Sequence, residues 1–486
     1  MRSDDWLSVQ AEIHPRRLAL AADGQHWTFE ELDEAVDGLA SHLAGLPVRS
    51  GDRVALWFWP GAPLVLLIYA LTRLGAVTIP LNTRLTPAEL GPILDNADPA
   101  WIVHQPGASL PTTDPSRQKS WSDILAAPRR PFTRAPWDWE ALNTIIYTSG
   151  TTGVPKGVML ALRQHWWSAM GFALQAGVSA TDRWLHTMPL FHVGGLSILF
   201  RSVIQGSGVI LLPRFDVSLV AESFRRDEIT LVSLVPTMLQ RLLAADVPPP
   251  KSLRLALLGG APAAPDLIER AWRHGYPVAP TYGLTETDSQ IAILDPADAP
   301  AHRGTAGRAT VPTQVEIRDG DRVLPPDTPG EIYITGPTVA LGYWRQPELT
   351  QATFRSGWLK TGDIGQLDAR HYLTVLDRRR DLIIRGGENI YPTEIEQILK
   401  TYPAIADAAV FGRPDPEWGQ RVAAAIHPAG TVDLGELRHF LSSRLASYKM
   451  PTEYYFVDQI PRTASGKILR TQLIAQLAEH EGWDYR

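Results

Sequence analysis

The chain has 486 residues, 44% hydrophobic and 20% charged, with a formal net charge of -6. That length suits two or three domains around a large core, and the composition excludes a mostly disordered chain. The charge gives no sign of an electrostatic nucleic-acid binder, and the absence of cysteine excludes disulfides, thiolate metal sites, iron–sulfur clusters and a cysteine nucleophile.

The first seventeen residues lack the apolar core of a signal peptide. The longest apolar run, Pro60 to Leu71, is too short and broken to span a bilayer. A soluble, cytoplasmic protein is expected. Thr28 and Glu31 predict a capping box, followed by Phe29, Leu32, Val36, Leu39 and Leu43 at helical spacing. Arg53–Phe58 reads as a buried strand, followed by a helix through Leu71 and a short strand over Ala76–Ile79. Thr86-Pro87-Ala88-Glu89 opens the next helix, with proline at its first position. The alternation predicts layered α/β structure with parallel strands. Residues 106–138, rich in Pro, Ser, Thr, Gln and Arg, read as a surface connection. A strand at Thr144–Tyr147 leads into a glycine-rich loop, and short strands at Gln314–Ile317 and Glu331–Ile334 predict a small β subdomain. The charged run Asp377–Asp381 reads as a linker to a compact α+β tail. In that tail, helices are expected from Thr393, near 433–445 and near 471–481, with strands near 405–411 and 421–427.

The segment Tyr147-Thr148-Ser149-Gly150-Thr151-Thr152-Gly153-Val154-Pro155-Lys156-Gly157 carries the most chemistry. Glycines expose backbone N–H groups, hydroxyls add donors and a lysine adds charge, a set that suits a polyphosphate. It is not a Walker loop, because Gly150 and Gly153 are separated by two residues rather than four.

This loop resembles the signature of the adenylate-forming superfamily, which includes acyl-CoA synthetases, peptide-synthetase adenylation domains and luciferase-like enzymes. Further blocks follow in family order: Tyr282-Gly283-Leu284-Thr285-Glu286-Thr287, Lys360-Thr361-Gly362-Asp363, the hinge opening at Asp377-Arg378, and Pro461-Arg462-Thr463-Ala464-Ser465-Gly466-Lys467. The resemblance implies a large N-terminal AMP-binding domain of layered α/β sheets with a small β subdomain (1–376). A hinge (377–380) joins it to a small mobile α+β C-terminal domain (381–486). It implies conversion of a carboxylate and ATP into an acyl adenylate, then displacement of AMP by a thiol.

The site residues follow from the same resemblance. Lys467 bridges the carboxylate and α-phosphate, and Thr151 and His192 join it as catalytic residues. Thr148, Ser149, Gly150, Thr152, Gly153 and Lys156 bind the phosphates. Glu286 ligates Mg²⁺, a cation suited to carboxylate and phosphate oxygens. Asp363 and Arg378 hold the ribose, Tyr282 stacks on adenine beside Gly260 and Ala261, and Gly283 and Thr285 complete the nucleotide site. The C-terminal domain rotates between half-reactions and brings Gly386 and Gly387 to CoA. The family's pivot, two places after the hinge arginine, is usually Asp or Lys; here it is Arg380.

The substrate reading rests on Met188–Ile204 and Thr281–Ile291, which resemble the o-succinylbenzoate–CoA ligases of menaquinone biosynthesis. His192 belongs to the family's Pro-x-Phe-His block, beside the acyl carboxylate. Arg201 interrupts an apolar helical run and is open to two readings: it snorkels to water, or it is buried and pairs with a second carboxylate on the acid. Gly283, Thr287 and Ser289 are expected beside the acid. The expected partners are a carboxylic acid, ATP and CoA, with a homodimer as assembly, no nucleic acid and no membrane insertion. Alternatives are a CoA ligase for another aryl or medium-chain acid, a stand-alone adenylation domain, and a catalytically silent nucleotide binder.

Overall fold

The computed structural model describes residues 5–108, 110–111, 114–148, 155–261, 263, 265–377, 382–462, 468–477 and 483–484. The predicted capping box forms: the Thr28 N–H donates to Glu31 Oε2 at 2.8 Å and the Glu31 N–H to Thr28 Oγ1 at 3.3 Å. The helix Phe29–Gly45 that it opens buries Phe29, Leu32, Val36, Leu39 and Leu43. Thr86 and Glu89 repeat the device at helix Pro87–Ala97. The helix expected to stop at Leu71 runs over Ala62–Leu74, because the first residue able to close it in a left-handed conformation is Gly75 (φ 69°).

Two large sheets carry the N-terminal region. In the first, parallel strands Val77–Pro80, Arg53–Trp57, Trp101–His104 and Gln118–Ser120 lie side by side, continued by the antiparallel pair Leu142–Thr148 and Lys156–Ala161. In the second, Val278–Leu284, Leu255–Leu258, Leu231–Leu234, Arg183–His186, Gly208–Leu211 and Leu18–Ala22 are parallel, with antiparallel strands at both edges. Helices Phe29–Gly45, Ala62–Leu74 and Val193–Gln205 share one core with both sheets, joining Leu56 and Val158 of the first to Leu20 and Val209 of the second. The far face of the second sheet packs on helices Val217–Arg226, Pro236–Ala244 and Pro265–Arg273. A separate antiparallel sheet, which includes Gln314–Asp319, Gly330–Thr335 and Trp358–Leu367, forms the expected β subdomain.

The segment 106–138 is more than a surface connection. Gln118–Ser120 adds a strand to the first sheet, and helix Trp121–Ala126 is capped by Ser120 and Asp123. Trp137 meets Trp6 edge-on at 4.8 Å. Nearby, buried Arg73 binds Asp5 at 2.7 Å and Asp37 at 2.5 Å and also pairs with Asp33, tying the N-terminal helix Trp6–Ile13 to two others. Polar composition concealed this role, because the anchoring groups are tryptophans and arginine stems.

Beyond the linker, hairpin Ile383–Arg385/Glu388–Ile390 is followed by helix Pro392–Lys400 and strands Ile405–Asp415, Gly419–Pro428 and Glu453–Phe456. The expected helices are shorter, Leu434–Ser442 and Arg470–Gln476. Among the described residues, no helix is long and apolar enough to cross a membrane.

Candidate active site

Two cavities open where the parallel strands of both large sheets end, the usual place for ligands in open α/β sheets. One, of about 210 Å³, is walled by Thr148, Gly259 and Gly260, Gly283 to Glu286, Ser289, Gln290, Thr361 and Asp363. The other, of about 520 Å³, runs between the N-terminal region and the tail, past Trp59, Arg84, Phe191, Arg214, Arg241, Gly386 and Trp418. His192, Met188, Val235 and Gly387 line both. The two spaces therefore meet at the histidine and at the second glycine of the hairpin.

Local folding explains the first wall. Strand Val278–Leu284 reverses into Ser289–Ile293 through a tight 3₁₀ turn at Thr285–Thr287. A Cβ on Gly283 would lie 2.0 Å from the Ser289 carbonyl oxygen, so the reversal requires glycine there. Glu286 accepts from the Tyr343 hydroxyl at 2.7 Å through Oε1. Its other oxygen accepts no hydrogen bond among the described residues. Mg²⁺ typically uses one or two carboxylates together with substrate phosphates and water. A single carboxylate beside a phosphate-sized space fits that habit, and no cluster of three or more metal-binding side chains occurs among the described residues.

Asp363 is buried and accepts from the Tyr282 hydroxyl at 2.7 Å. The Tyr282 ring packs in the core of the β subdomain and does not line the cavity. Its hydroxyl donates to Asp363, whereas stacking on adenine is what the resemblance implies. The hydroxyl of Thr287 is spent internally on Leu284 and Ser289. Lys156 is buried, its ammonium 5.4 Å from the centre of the Tyr343 ring. Gly260 lines the cavity, and Ala261 after it does not. Ser149, Gly150, Thr151, Thr152, Gly153, Arg378, Arg380 and Lys467 lie outside the described residues.

His192 caps helix Val193–Gln205. Buried His186 fixes the start of that helix by bonding the Gly195 carbonyl through Nε2 at 2.9 Å; burial pushes its imidazole down to about 4, so it is neutral at pH 7. His192 Nε2 lies 3.0 Å from Glu388 Oε2, and Arg84 pairs with the other carboxylate oxygen. Burial opposes the charge on Glu388, but His192, Arg84 and Lys449 outweigh it and hold the carboxyl below the usual glutamate range. Gly386 (φ 60°) and Gly387 (φ 87°) form the two-residue turn of the hairpin that carries Glu388.

Arg201 is 1% exposed, which overturns the snorkelling reading. Its Nη2 donates to Gln290 Oε1 at 2.8 Å and to Ser168 Oγ at 3.2 Å, and its Nε has no partner. Burial lowers its pKa to about 10, partly offset by Asp288, so it stays charged at neutral pH. It stands behind the cavity wall rather than in it. Gln290 Oε1 also accepts from Ser289 Oγ at 2.6 Å, and the Gln290 amide nitrogen is buried and unpartnered.

Sequence reasoning had not singled out Gln290, Arg84, Glu388 or Lys449 as site residues. Gln290 and Glu388 lie inside recognised blocks; Arg84 follows the carboxyl end of a parallel strand, where a charged loop residue was a usable signal. For Lys449, in Ser447–Lys449, no local signal exists.

The fold and site together define an adenylate-forming enzyme. Residues 7–344 match the AMP-binding enzyme family and residues 394–467 match the AMP-binding enzyme C-terminal domain. The chain belongs to the AMP-binding enzyme family. It is 40% identical over 479 residues to the 2-succinylbenzoate–CoA ligase of Bacillus cereus, covering 98% of each chain. Among solved structures it resembles o-succinylbenzoate CoA synthetase of Bacillus subtilis. A doubly substituted form of that enzyme, bound to the product analogue OSB-NCoA, matches with a TM-score of 0.93 and 38% identity over 98% of this chain and 99% of the other. The form in complex with the acyl-adenylate OSB-AMP matches with a TM-score of 0.75 and 39% identity over 96% and 97%.

Proposed function

We propose that this chain is an ATP-dependent acid–thiol ligase that makes o-succinylbenzoyl-CoA from o-succinylbenzoate through an acyl adenylate, in menaquinone biosynthesis. The carrying observation is the meeting of two cavities at His192 and Gly387: one is lined by the glycines, Glu286 and Asp363 expected of a nucleotide site, and the other runs on between the N-terminal region and the tail, the path a long thiol cofactor needs. In the first half-reaction a carboxylate oxygen of the acid attacks the α-phosphorus of ATP. The bond to the β-phosphate breaks and pyrophosphate leaves. In the second, the CoA sulfur attacks the acyl carbonyl and AMP leaves.

Both partners of the first step are anions, so aligned donors and cations must offset their repulsion. We assign that work to Lys467, Thr151 and the 148–153 loop, with Lys156 at the phosphates. Mg²⁺, when bound at Glu286, neutralises phosphate charge. Asp363, aimed by Tyr282, accepts from the ribose hydroxyls, and holding the ribose is a task we assign to Arg378 as well. His192 stands where the two cavities meet, the place at which the acyl carbonyl must encounter the thiol. In this reading residues 1–376 and 381–486 act as two domains about a hinge at 377–380.

The choice of acid is supported by the polar wall behind Ser289. o-Succinylbenzoate carries a second carboxylate, and the amide N–H of Gln290, held in place by Arg201, is a donor with nothing to bond. A buried unpaired donor is costly unless a ligand uses it. A cytoplasmic location follows from dependence on ATP and CoA, and the homodimer is tested by light scattering. The acid is tested by pyrophosphate release with Mg-ATP across o-succinylbenzoate, benzoate, a medium-chain fatty acid and succinate. Selective release with o-succinylbenzoate is expected. Faster release with a monocarboxylic acid would overturn the assignment of the acid and leave the ligase chemistry.

A further inference from the structure

Lys449 is 3% exposed, yet it carries a charge. Its Nζ donates to Glu394 Oε1 at 2.7 Å and to Glu89 Oε1 at 2.7 Å. Glu394 belongs to the tail, whereas Glu89 lies in the first turn of helix Pro87–Ala97, on the other side of the linker. The second oxygen of Glu89 is already committed to the cap of its own helix, accepting from Thr86 N–H and Oγ1 at 2.8 Å each. The contact is continuous with the hairpin at the joint: Arg385 Nη1 donates to the carbonyl of Tyr448 at 3.1 Å, and Gly386, Gly387 and Glu388 follow directly.

We propose that Lys449 is a positioning residue for the thiol-transfer half-reaction: its bond to Glu89 latches the tail in the arrangement that seats Gly387 and Glu388 at His192. This rests on the ligase reading above. The Bacillus subtilis relative matches this chain at 0.93 in one structure and at 0.75 in another, at nearly equal identity. The family thus has at least two arrangements, and this chain has the one seen with the CoA-product analogue. Any rotation of the tail that removes the hairpin from His192 separates Lys449 from Glu89. It then breaks a charge-assisted hydrogen bond, the stronger kind, between the two sides of the joint. The latch therefore favours one arrangement over the other.

Lys449→Met keeps the length of the stem and removes the charge. With o-succinylbenzoate, pyrophosphate release without CoA is expected to stay within about twofold, while single-turnover conversion of the adenylate by CoA slows by about tenfold or more. Glu89→Gln keeps an oxygen for the helix cap and removes the charge from the other side of the joint; it is expected to show the same split. The chain has no cysteine, so a dye pair on exposed positions, Leu174→Cys and Ser442→Cys, reports the arrangement without any turnover. Both variants are expected to depopulate the dye distance of the unsubstituted chain. Equal loss in both half-reactions, or an unchanged distance with unchanged CoA rate, would overturn the latch. Absence of pyrophosphate release by the unsubstituted chain would count against the ligase reading instead, and the dye distances would still decide the latch.

Discussion

Arg201 shows how far a single residue can be read from sequence. Its place in an apolar helical run left burial and snorkelling both open, since guanidinium stems tolerate either. Only the fold reveals that the run, Val193–Gln205, is buried between the two sheets, so the charge has no route to water. Its role is then indirect. It donates to Gln290, a residue of the cavity wall whose buried amide nitrogen has no partner. Arg201→Met should therefore lower kcat/KM for o-succinylbenzoate by about tenfold to a hundredfold, the worth of a hydrogen bond to a charged group, with benzoate turnover much less affected. Equal loss on both acids would assign Arg201 to stability alone. Tyr282 and Asp363 tell a similar story: both were legible from their motifs, but the bond that makes one aim the other crosses from one sheet system to another and has no sequence signature.

At the level of elements, the legible parts were those governed by local rules. Caps at Thr28 and Thr86 and the apolar face of Phe29–Gly45 depend on neighbours within a few residues. The strand and helix within 106–138 depend instead on a sheet edge and on the packing of Trp121 against distant Phe58, and polar composition hid them. The same holds for the arginine–aspartate cluster beside them. Replacing Arg73 by methionine should cost about 3 kcal/mol of stability, because Asp5, Asp33 and Asp37 would be left with half-exposed Arg134 as their shared cation. Urea unfolding measures this, and a loss below about 1 kcal/mol would contradict the role given to the cluster. His186 adds a pH dependence. Its folded pKa, about 4, lies below the ordinary histidine value of about 6.5. The unfolded chain therefore binds the extra proton first as pH falls, and stability is lost from about pH 6.5 downwards to about pH 4. His186→Asn should flatten that part of the profile; an unchanged slope would show that His186 is not its source.

Across the whole molecule, the order of motifs was enough to expect an α/β layered N-terminal region, a β subdomain and a small α+β tail, and the fold has these parts. The arrangement of the tail was not legible. It is set by a few contacts between residues hundreds of positions apart, such as Arg84 with Glu388 and Glu89 with Lys449, none of which carries a pattern of its own. That arrangement is what joins the nucleotide cavity to the second one at His192. It also makes the joint sensitive to acid. Glu388 is held below the usual glutamate range, so the bonds it makes across the joint persist below the pH at which a free glutamate protonates and are lost as pH falls through its lowered value.

In the proposed function one site activates an acid and hands it to CoA. The most direct test incubates the chain with Mg-ATP, o-succinylbenzoate and CoA and follows pyrophosphate, AMP and thioester together by mass spectrometry. The expected result is o-succinylbenzoyl-CoA in step with AMP and pyrophosphate, and accumulation of enzyme-bound adenylate when CoA is withheld. Pyrophosphate release with no thioester formed in the presence of CoA would contradict it.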